Sequence, residues 1–176
     1  MGNINVIDEK GNIKKIPYRT ENMILKPEQL KFLYENFIIR CENDVKPLKY
    51  FYINSKEIKS LKENLKFELE PLKKGIESSV NVKLDKIFFL NDKKSTIPSL
   101  LFHIRNCFVH NRIRLLESGK IELFDVIPPP QMNKKELEIL KRKGKQRPKP
   151  RITMYAMVSS FNKLKEILKG VINSQQ

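Results

Sequence analysis

The chain is poor in the residues that build disulfide frameworks, zinc ribbons and phosphate loops. Its 176 residues include two cysteines, two histidines and six glycines. Cys41 and Cys107 form no CxxC pair, and no glycine-rich phosphate loop is present. These absences argue against a disulfide scaffold, a zinc ribbon and a P-loop nucleotide site. We expect both thiols to be reduced and the protein to be cytoplasmic.

Long hydrophobic runs are also absent. No stretch approaches the roughly 20 apolar residues that span a membrane, and residues 1–6 lack the basic and apolar regions of a signal peptide. Hydrophobic residues nevertheless make up 40% of the chain, which is typical of a folded protein rather than a disordered tail. The length predicts a single domain over residues 1–176.

Positive charge is what the chain has in excess. It has 35 Lys and Arg against 20 Asp and Glu, a net charge of +15. A balance of this sign favours a nucleic acid, an anionic membrane surface or an acidic protein as partner. The segment 141–151 contains no acidic residue, and we interpret it as a basic loop that contacts RNA. The basic residues predicted to do so are Lys141, Arg142, Lys143, Lys145 and Arg147.

The spacing of apolar residues predicts a mainly α fold. Helical periodicity extends over 30–41, 58–72, 97–112 and 161–171, and a short helix is predicted over 134–143. Strands are predicted only as additions: an N-terminal β-hairpin over 1–20, a second hairpin over 113–125 and a strand over 152–158. The segment 80–90 is ambiguous between helix and strand.

The predicted helix 97–112 contains the chemically most distinctive segment of the chain. Arg105, Asn106 and His110 supply a permanent cation, a polar amide and a titratable imidazole. These are the residue types that RNA cleavage without a metal requires. Asn106 and His110 are four residues apart and therefore share a helix face.

A rotation of about 100° per residue sorts this helix into faces. His103 joins Asn106 and His110 on the side opposite the apolar face, so it is a further candidate for RNA contact. Arg112 and Arg114, which follow the motif, are candidates for contact with the RNA backbone. The apolar face predicted to pack on the core comprises Leu100, Leu101, Ile104, Cys107 and Phe108.

The same rotation predicts a homodimer. Arg105 and His110 lie about 140° apart around the helix axis, too far to converge easily on one phosphate from a single chain. A two-fold axis near Phe102 and Val109 would bring a second copy of the motif opposite the first. We therefore expect Phe102 and Val109 to form the dimer contact.

A zinc site is an alternative interpretation of the helix. His103, Cys107 and His110 follow one another at i, i+4 and i+7, a spacing that could converge on one ion. No fourth ligand is evident, and Cys107 lies toward the core side. We therefore expect neither a metal nor another cofactor.

The motif resembles that of a known family. Arg-polar-x-x-x-His at the end of an amphipathic helix resembles the catalytic motif of HEPN-domain ribonucleases. Asn111-Arg112-Ile113 followed by Gly119-Lys120-Ile121-Glu122-Leu123 is similar to the His-Gly-Arg-Ile … Gly-x-Ile-x-Leu stretch of the Abi-like, plasmid- and phage-borne branch. Asn111 stands where that branch often has glycine. The resemblance covers roughly residues 97–125.

The resemblance implies a helical bundle that dimerises with its motifs facing each other. It also implies metal-independent endoribonuclease activity, with Arg105, Asn106 and His110 in the catalytic positions. The expected setting is a toxin or defence effector that cleaves tRNA or single-stranded loops, with an antitoxin or a defence-complex subunit as partner. The family includes members that bind RNA or nucleotides without cutting, and inactive partner subunits, so a non-catalytic module stays open.

Overall fold

Strands and helices contribute in comparable measure to this protein. The computed structural model describes residues 3–8, 10–17, 25–39, 55–76, 79–92 and 96–173. The described strands are β1 (Asn3–Ile7), β2 (Ile13–Pro17), β3 (Glu68–Leu72), β4 (Ser79–Asn81), β5 (Lys86–Leu90), β6 (Ile113–Leu115), β7 (Ile121–Ile127) and β8 (Arg151–Val158). The described helices are α1 (Pro27–Leu33, continued as a π-helical turn over Tyr34–Ile38), α2 (Ser55–Leu65), α3 (Thr96–Val109), α4 (Lys134–Arg142) and α5 (Phe161–Asn173).

The strands assemble into two sheets. One has three strands in the order β2-β1-β4, and the other has five in the order β3-β5-β8-β7-β6. In the larger sheet β3 and β5 are parallel, whereas the remaining neighbours are antiparallel. The fold is therefore mixed α/β, and the prediction of a mainly α, HEPN-like helical bundle with small hairpin additions is wrong.

The segment 58–72 accounts for part of that error. Its apolar residues were predicted to form one helix, but α2 ends at Leu65 and Lys66 adopts a left-handed conformation with φ of 49°. The chain then continues as strand β3, in which Leu69 and Leu72 pair with β5. Pro71 is tolerated there because β3 is an edge strand.

Other local predictions are confirmed. The hairpins turn at Gly11 and Gly119, both with positive φ, and the predicted short helix, strand and closing helix correspond to α4, β8 and α5. The ambiguous segment 80–90 contains parts of two strands, β4 and β5. Residues 18–20 of the predicted N-terminal hairpin and Cys41 lie outside the described residues.

The two faces of the five-stranded sheet contribute to separate hydrophobic cores. Alternate residues of a strand point to opposite faces, so Phe89, Leu123 and Ala156 join the helices in one core. Phe88 and Phe124 pack with the three-stranded sheet in the other. α3 lies over the first face, and its predicted apolar residues are confirmed as core: Leu100, Leu101, Ile104, Cys107 and Phe108 are all buried.

Within the described ranges, no helix combines the length and the apolar composition needed to cross a bilayer.

Candidate functional site at the end of helix α3

α3 ends in a left-handed turn that reverses the chain toward β7. The backbone N–H of Arg112 donates to the carbonyl of Cys107 at 2.7 Å, and that of Asn111 donates to Phe108 at 3.1 Å. Asn111 has φ of 58°. This is the Schellman arrangement, in which glycine or asparagine occupies the left-handed position. Asn111 therefore adopts the kind of conformation for which glycine is otherwise favoured.

This turn supplies a first testable prediction. Asn111→Val is expected to lower the free energy of unfolding by about 1–3 kcal/mol, because a β-branched residue is strained at positive φ. Asn111→Gly should change it by less than about 1 kcal/mol, since glycine adopts this conformation freely. Urea denaturation of the two variants would measure the difference. Equal stability of the two would contradict a left-handed Asn111.

Asp125 on β7 is the centre of a buried polar network. Its Oδ2 accepts hydrogen bonds from His103 Nδ1 at 2.8 Å and from Asn106 Nδ2 at 3.1 Å. Its Oδ1 accepts from Arg112 Nη1 at 2.9 Å and from the Val126 backbone N–H at 3.0 Å. One carboxylate thus connects the middle of α3, its last turns and the chain that leaves it.

Two further contacts complete the network around His103. Nε2 of His103 faces the Leu90 carbonyl at 3.0 Å and Asp92 Oδ1 at 3.4 Å. Both ring nitrogens of His103 therefore face oxygen atoms. Arg112 Nη1 also donates to the Val126 carbonyl at 2.9 Å. The buried guanidinium of Arg112 is therefore matched by one carboxylate and one carbonyl oxygen.

The network shifts the pKa values of Asp125 and Cys107. Burial raises the pKa of Asp125, but the hydrogen bonds from His103 and Asn106 outweigh this effect and hold its pKa below the usual value. Asp125 is therefore ionised at neutral pH. Burial, reinforced by the charge of Asp125, raises the pKa of the Cys107 thiol well above its ordinary value. Cys107 is consequently neutral and unsuited to act as a nucleophile.

The network positions two of the three predicted catalytic residues. The Asn106 side chain donates to Asp125 through Nδ2, and its Oδ1 accepts from Arg105 Nη1 at 3.3 Å. The Asp125 carboxylate is thereby linked through an amide to the half-buried guanidinium of Arg105. His110 lies one turn after Asn106, is exposed, and donates its backbone N–H to the Asn106 carbonyl at 3.0 Å. The structure brings a cation, an amide and an imidazole to the same end of α3.

Three residues predicted to contact RNA lie elsewhere than expected. The prediction that His103 faces away from the core is wrong, since its side chain is 2% exposed and contacts Asp125. Arg112 is also buried against Asp125. Arg114 donates to the fully buried Glu122, which also accepts from Tyr155 Oη at 2.7 Å. Because these three side chains already face internal carboxylates, we do not expect them to contact RNA directly.

The other predicted residues are accessible. The side chains of the basic loop are exposed, namely those of Lys141, Arg142, Lys143, Lys145 and Arg147. Val109 is 43% exposed, while Phe102 is half-buried with its ring edge against His103. A dimer contact through these two residues stays a prediction.

Asp125 is the functional residue that sequence reasoning missed. A signal was present, because Asp125 interrupts the otherwise apolar end of β7, Leu123-Phe124-Asp125-Val126-Ile127. A carboxylate inside an apolar strand requires a hydrogen-bonded or cationic partner. The pairing of β7 with β8 also shifts register between Asp125 and Val126, and such irregularities are common beside functional sites.

Within the described part of the chain, no group of three or more His, Cys, Asp or Glu side chains could hold a metal ion. Neither family models nor curated proteins nor solved structures match this chain.

Proposed function

We propose that this protein is a metal-independent endoribonuclease whose active site comprises Arg105, Asn106 and His110. The observation that carries the proposal is the link from Asp125 through Asn106 to Arg105. A guanidinium held in this way is preorganised to receive a phosphate, and the exposed imidazole of His110 lies at the same helix end. The mixed α/β fold lends no support, so the proposal depends on these residues and on the local resemblance.

The proposed reaction uses the nucleophile that RNA itself carries. A neutral imidazole accepts the proton of the 2′-hydroxyl, and the 2′-oxygen attacks the adjacent phosphorus. The bond from phosphorus to the 5′-oxygen breaks, and that oxygen takes a proton from an acid. The products are a 2′,3′-cyclic phosphate and a 5′-hydroxyl. Arg105 stabilises the charge that develops on the phosphate, and DNA, which lacks the nucleophile, is not cut.

The proposal includes a homodimer. The reaction uses one base and one acid. The chain has two histidines, and because His103 is buried, each copy can offer only the imidazole of His110 to the RNA. A second copy facing the first across Phe102 and Val109 would supply the second imidazole. The proposed setting, a cytoplasmic toxin or defence effector that acts on tRNA or single-stranded loops and has an antitoxin or defence partner, depends on the HEPN resemblance alone.

The proposal is tested by incubating the purified protein with total RNA in EDTA. We expect cleavage that survives EDTA, leaves 5′-hydroxyl ends and falls at least about a hundredfold in His110→Ala. Lys120→Ala, a substitution outside the proposed site, should cleave like the wild type. Undiminished cleavage by His110→Ala would exclude the proposed site, and cleavage abolished by EDTA would exclude the metal-independent mechanism.

A non-catalytic RNA-binding module is the second candidate. It is favoured by the mixed α/β fold, which differs from the helical bundle that the catalytic resemblance implied. It predicts that the wild type binds RNA and that neither the wild type nor His110→Ala cleaves it. An inactive subunit of a defence complex predicts that RNA binding is absent as well.

A further inference from the structure

The connection between β7 and β8 carries nearly half of the net charge of the chain. Residues 134–151, which we name the basic arm, contain nine Lys and Arg and two Glu, a net charge of +7 out of +15. They comprise helix α4, the segment 143–150 and the first residue of β8. So high a charge density within about a tenth of the chain indicates a surface for a polyanion.

The basic side chains of the arm do not stabilise the fold through ion pairs with other described residues. None of the α4 side chains is buried, and the helix is stabilised at its start by the reciprocal hydrogen bonds of Asn133 and Glu136, at 3.0 and 2.7 Å. Among the described residues, no ion pair involves a basic side chain of the arm. The arm therefore keeps a net charge of +7, and a bound anion would relieve the repulsion between these like charges.

The end of the arm has a regular pattern. Lys145, Arg147, Lys149 and Arg151 alternate with Gln146, Pro148 and Pro150, and residues 145–150 form neither helix nor strand. A residue that precedes proline favours extended backbone, so Arg147 and Lys149 favour it. In extended backbone alternate side chains share a side and repeat about every 6.6 Å. That repeat is of the same order as the separation of neighbouring phosphates along a single strand.

The arm ends at the part of the sheet that holds Asp125. Ile127 of β7 pairs with Arg151 of β8, so the last residue of the arm lies beside the end of β7. Asp125, which anchors the end of α3, lies two residues before Ile127. At the same end Ile76 and Ile152 exchange backbone hydrogen bonds of 3.0 and 2.7 Å.

A second basic segment adjoins the arm there. Gly75 packs against Arg151, because a Cβ placed on Gly75 would lie 3.4 Å from the Cβ of Arg151. The exposed Lys73 and Lys74 immediately precede Gly75. The positive surface therefore combines residues from two separate parts of the sequence.

We propose that residues 145–151, together with Lys73 and Lys74, bind the phosphate backbone of single-stranded RNA and guide it to the end of α3. This inference rests on the proposed function and specifies how its substrate is held. A protein partner fits less well, because protein interfaces have an apolar or aromatic core, whereas 145–151 contains only basic residues, glutamine and proline. Recognition is of the backbone, so it is independent of base sequence.

The test measures RNA affinity separately from cleavage. Fluorescence anisotropy with a labelled 20-nucleotide single-stranded RNA would use full-length protein carrying His110→Ala, which is expected not to cleave. In that background Lys145→Gln/Arg147→Gln/Lys149→Gln should weaken binding at least tenfold at low salt. The slope of log K against log salt concentration should fall in magnitude by about 2, because each lost phosphate contact contributes about 0.7 for a single strand.

A matched variant controls for total charge. Lys10→Gln/Lys14→Gln/Lys15→Gln removes the same three charges from exposed positions of the first hairpin and should change affinity less than about threefold. Equal losses in the two triple variants, or no loss in the arm variant, would overturn the proposal. So would absence of RNA binding, preference for duplex RNA, or displacement of the RNA by polyglutamate at equal charge concentration.

The two proposals fail in different ways. If the wild type does not cleave RNA in EDTA but the arm variant selectively loses RNA affinity, the nuclease proposal fails and only the RNA-binding part of the arm proposal holds. If the wild type cleaves and the arm variant binds normally, the arm proposal alone fails.

Discussion

Asp125→Asn is expected to lower the free energy of unfolding by about 3–5 kcal/mol, since it removes one partner of a buried ion pair. The substitution preserves shape but leaves the buried guanidinium of Arg112 without its carboxylate. It also replaces a carboxylate that accepts hydrogen bonds from His103 Nδ1 and Asn106 Nδ2 by an amide, of which only the oxygen is an acceptor. Urea denaturation would measure the change, and the melting temperature should fall by roughly 6–20 °C for a chain of this size.

Asp92→Asn is the matched control. Asp92 also faces His103, at 3.4 Å, but its side chain is 33% exposed, so water can replace the lost contact. We expect that variant to lose less than about 1 kcal/mol. Similar small losses in both variants would mean that the network around Asp125 does not stabilise the fold.

The pKa of Asp125 determines how the difference in stability between the wild type and Asp125→Asn depends on pH. Its pKa is lower in the folded protein than its usual value, so the ionised carboxylate favours the folded state. That contribution is complete above the unfolded pKa of about 4 and is lost as the pH falls through the folded pKa. The wild type and Asp125→Asn should therefore differ most between about pH 5 and 8 and converge in stronger acid.

Asn106→Asp is expected to destabilise the protein at neutral pH by about 3 kcal/mol, because like charges in contact cost several kcal/mol. Asn106 Nδ2 donates to Asp125 Oδ2 at 3.1 Å, and an aspartate would bring a second carboxylate oxygen there instead. The HEPN resemblance alone predicts no such penalty, since the motif Arg-polar-x-x-x-His requires only a polar residue at that position. Urea denaturation at neutral pH distinguishes the two expectations.

The pH dependence of Asn106→Asp should have the opposite sign to that of the wild type. Two adjacent carboxylates raise the pKa of the pair, so the folded variant takes up a proton more readily than the unfolded chain. Its deficit in stability should therefore shrink as the pH falls toward 5. The double variant Asn106→Asp/Asp125→Asn restores one donor and one acceptor and should be more stable than the sum of the single effects predicts.

An exposed asparagine provides the control for this substitution. Asn162 lies exposed in the first turn of α5, and Asn162→Asp should change stability by less than about 0.5 kcal/mol. If Asn106→Asp were equally harmless and cleaved RNA like the wild type, Asn106 would have no part in linking Arg105 to Asp125.

The sequence by itself determined most of the local elements and the grouping of polar residues at the end of α3. Glycines at positive φ mark the turns at Gly11 and Gly119, and these follow from local backbone preferences. The apolar face of α3, including Leu100 and Ile104, follows from helical periodicity. The grouping of Arg105, Asn106 and His110 requires only adjacency along one helix.

Tertiary structure alone decided how the strands assemble and what the polar residues near the motif do. β3 and β5 pair in the same sheet as β8 and β7. Hydrogen bonds between strands that are distant in the sequence are not visible in the spacing of apolar residues along the chain. Rotation around α3 predicted His103 to be exposed, but Asp125 lies 22 residues later and approaches from β7. Whether the polar face of a helix is exposed or buried depends on which other element covers it, and only the folded chain specifies that element.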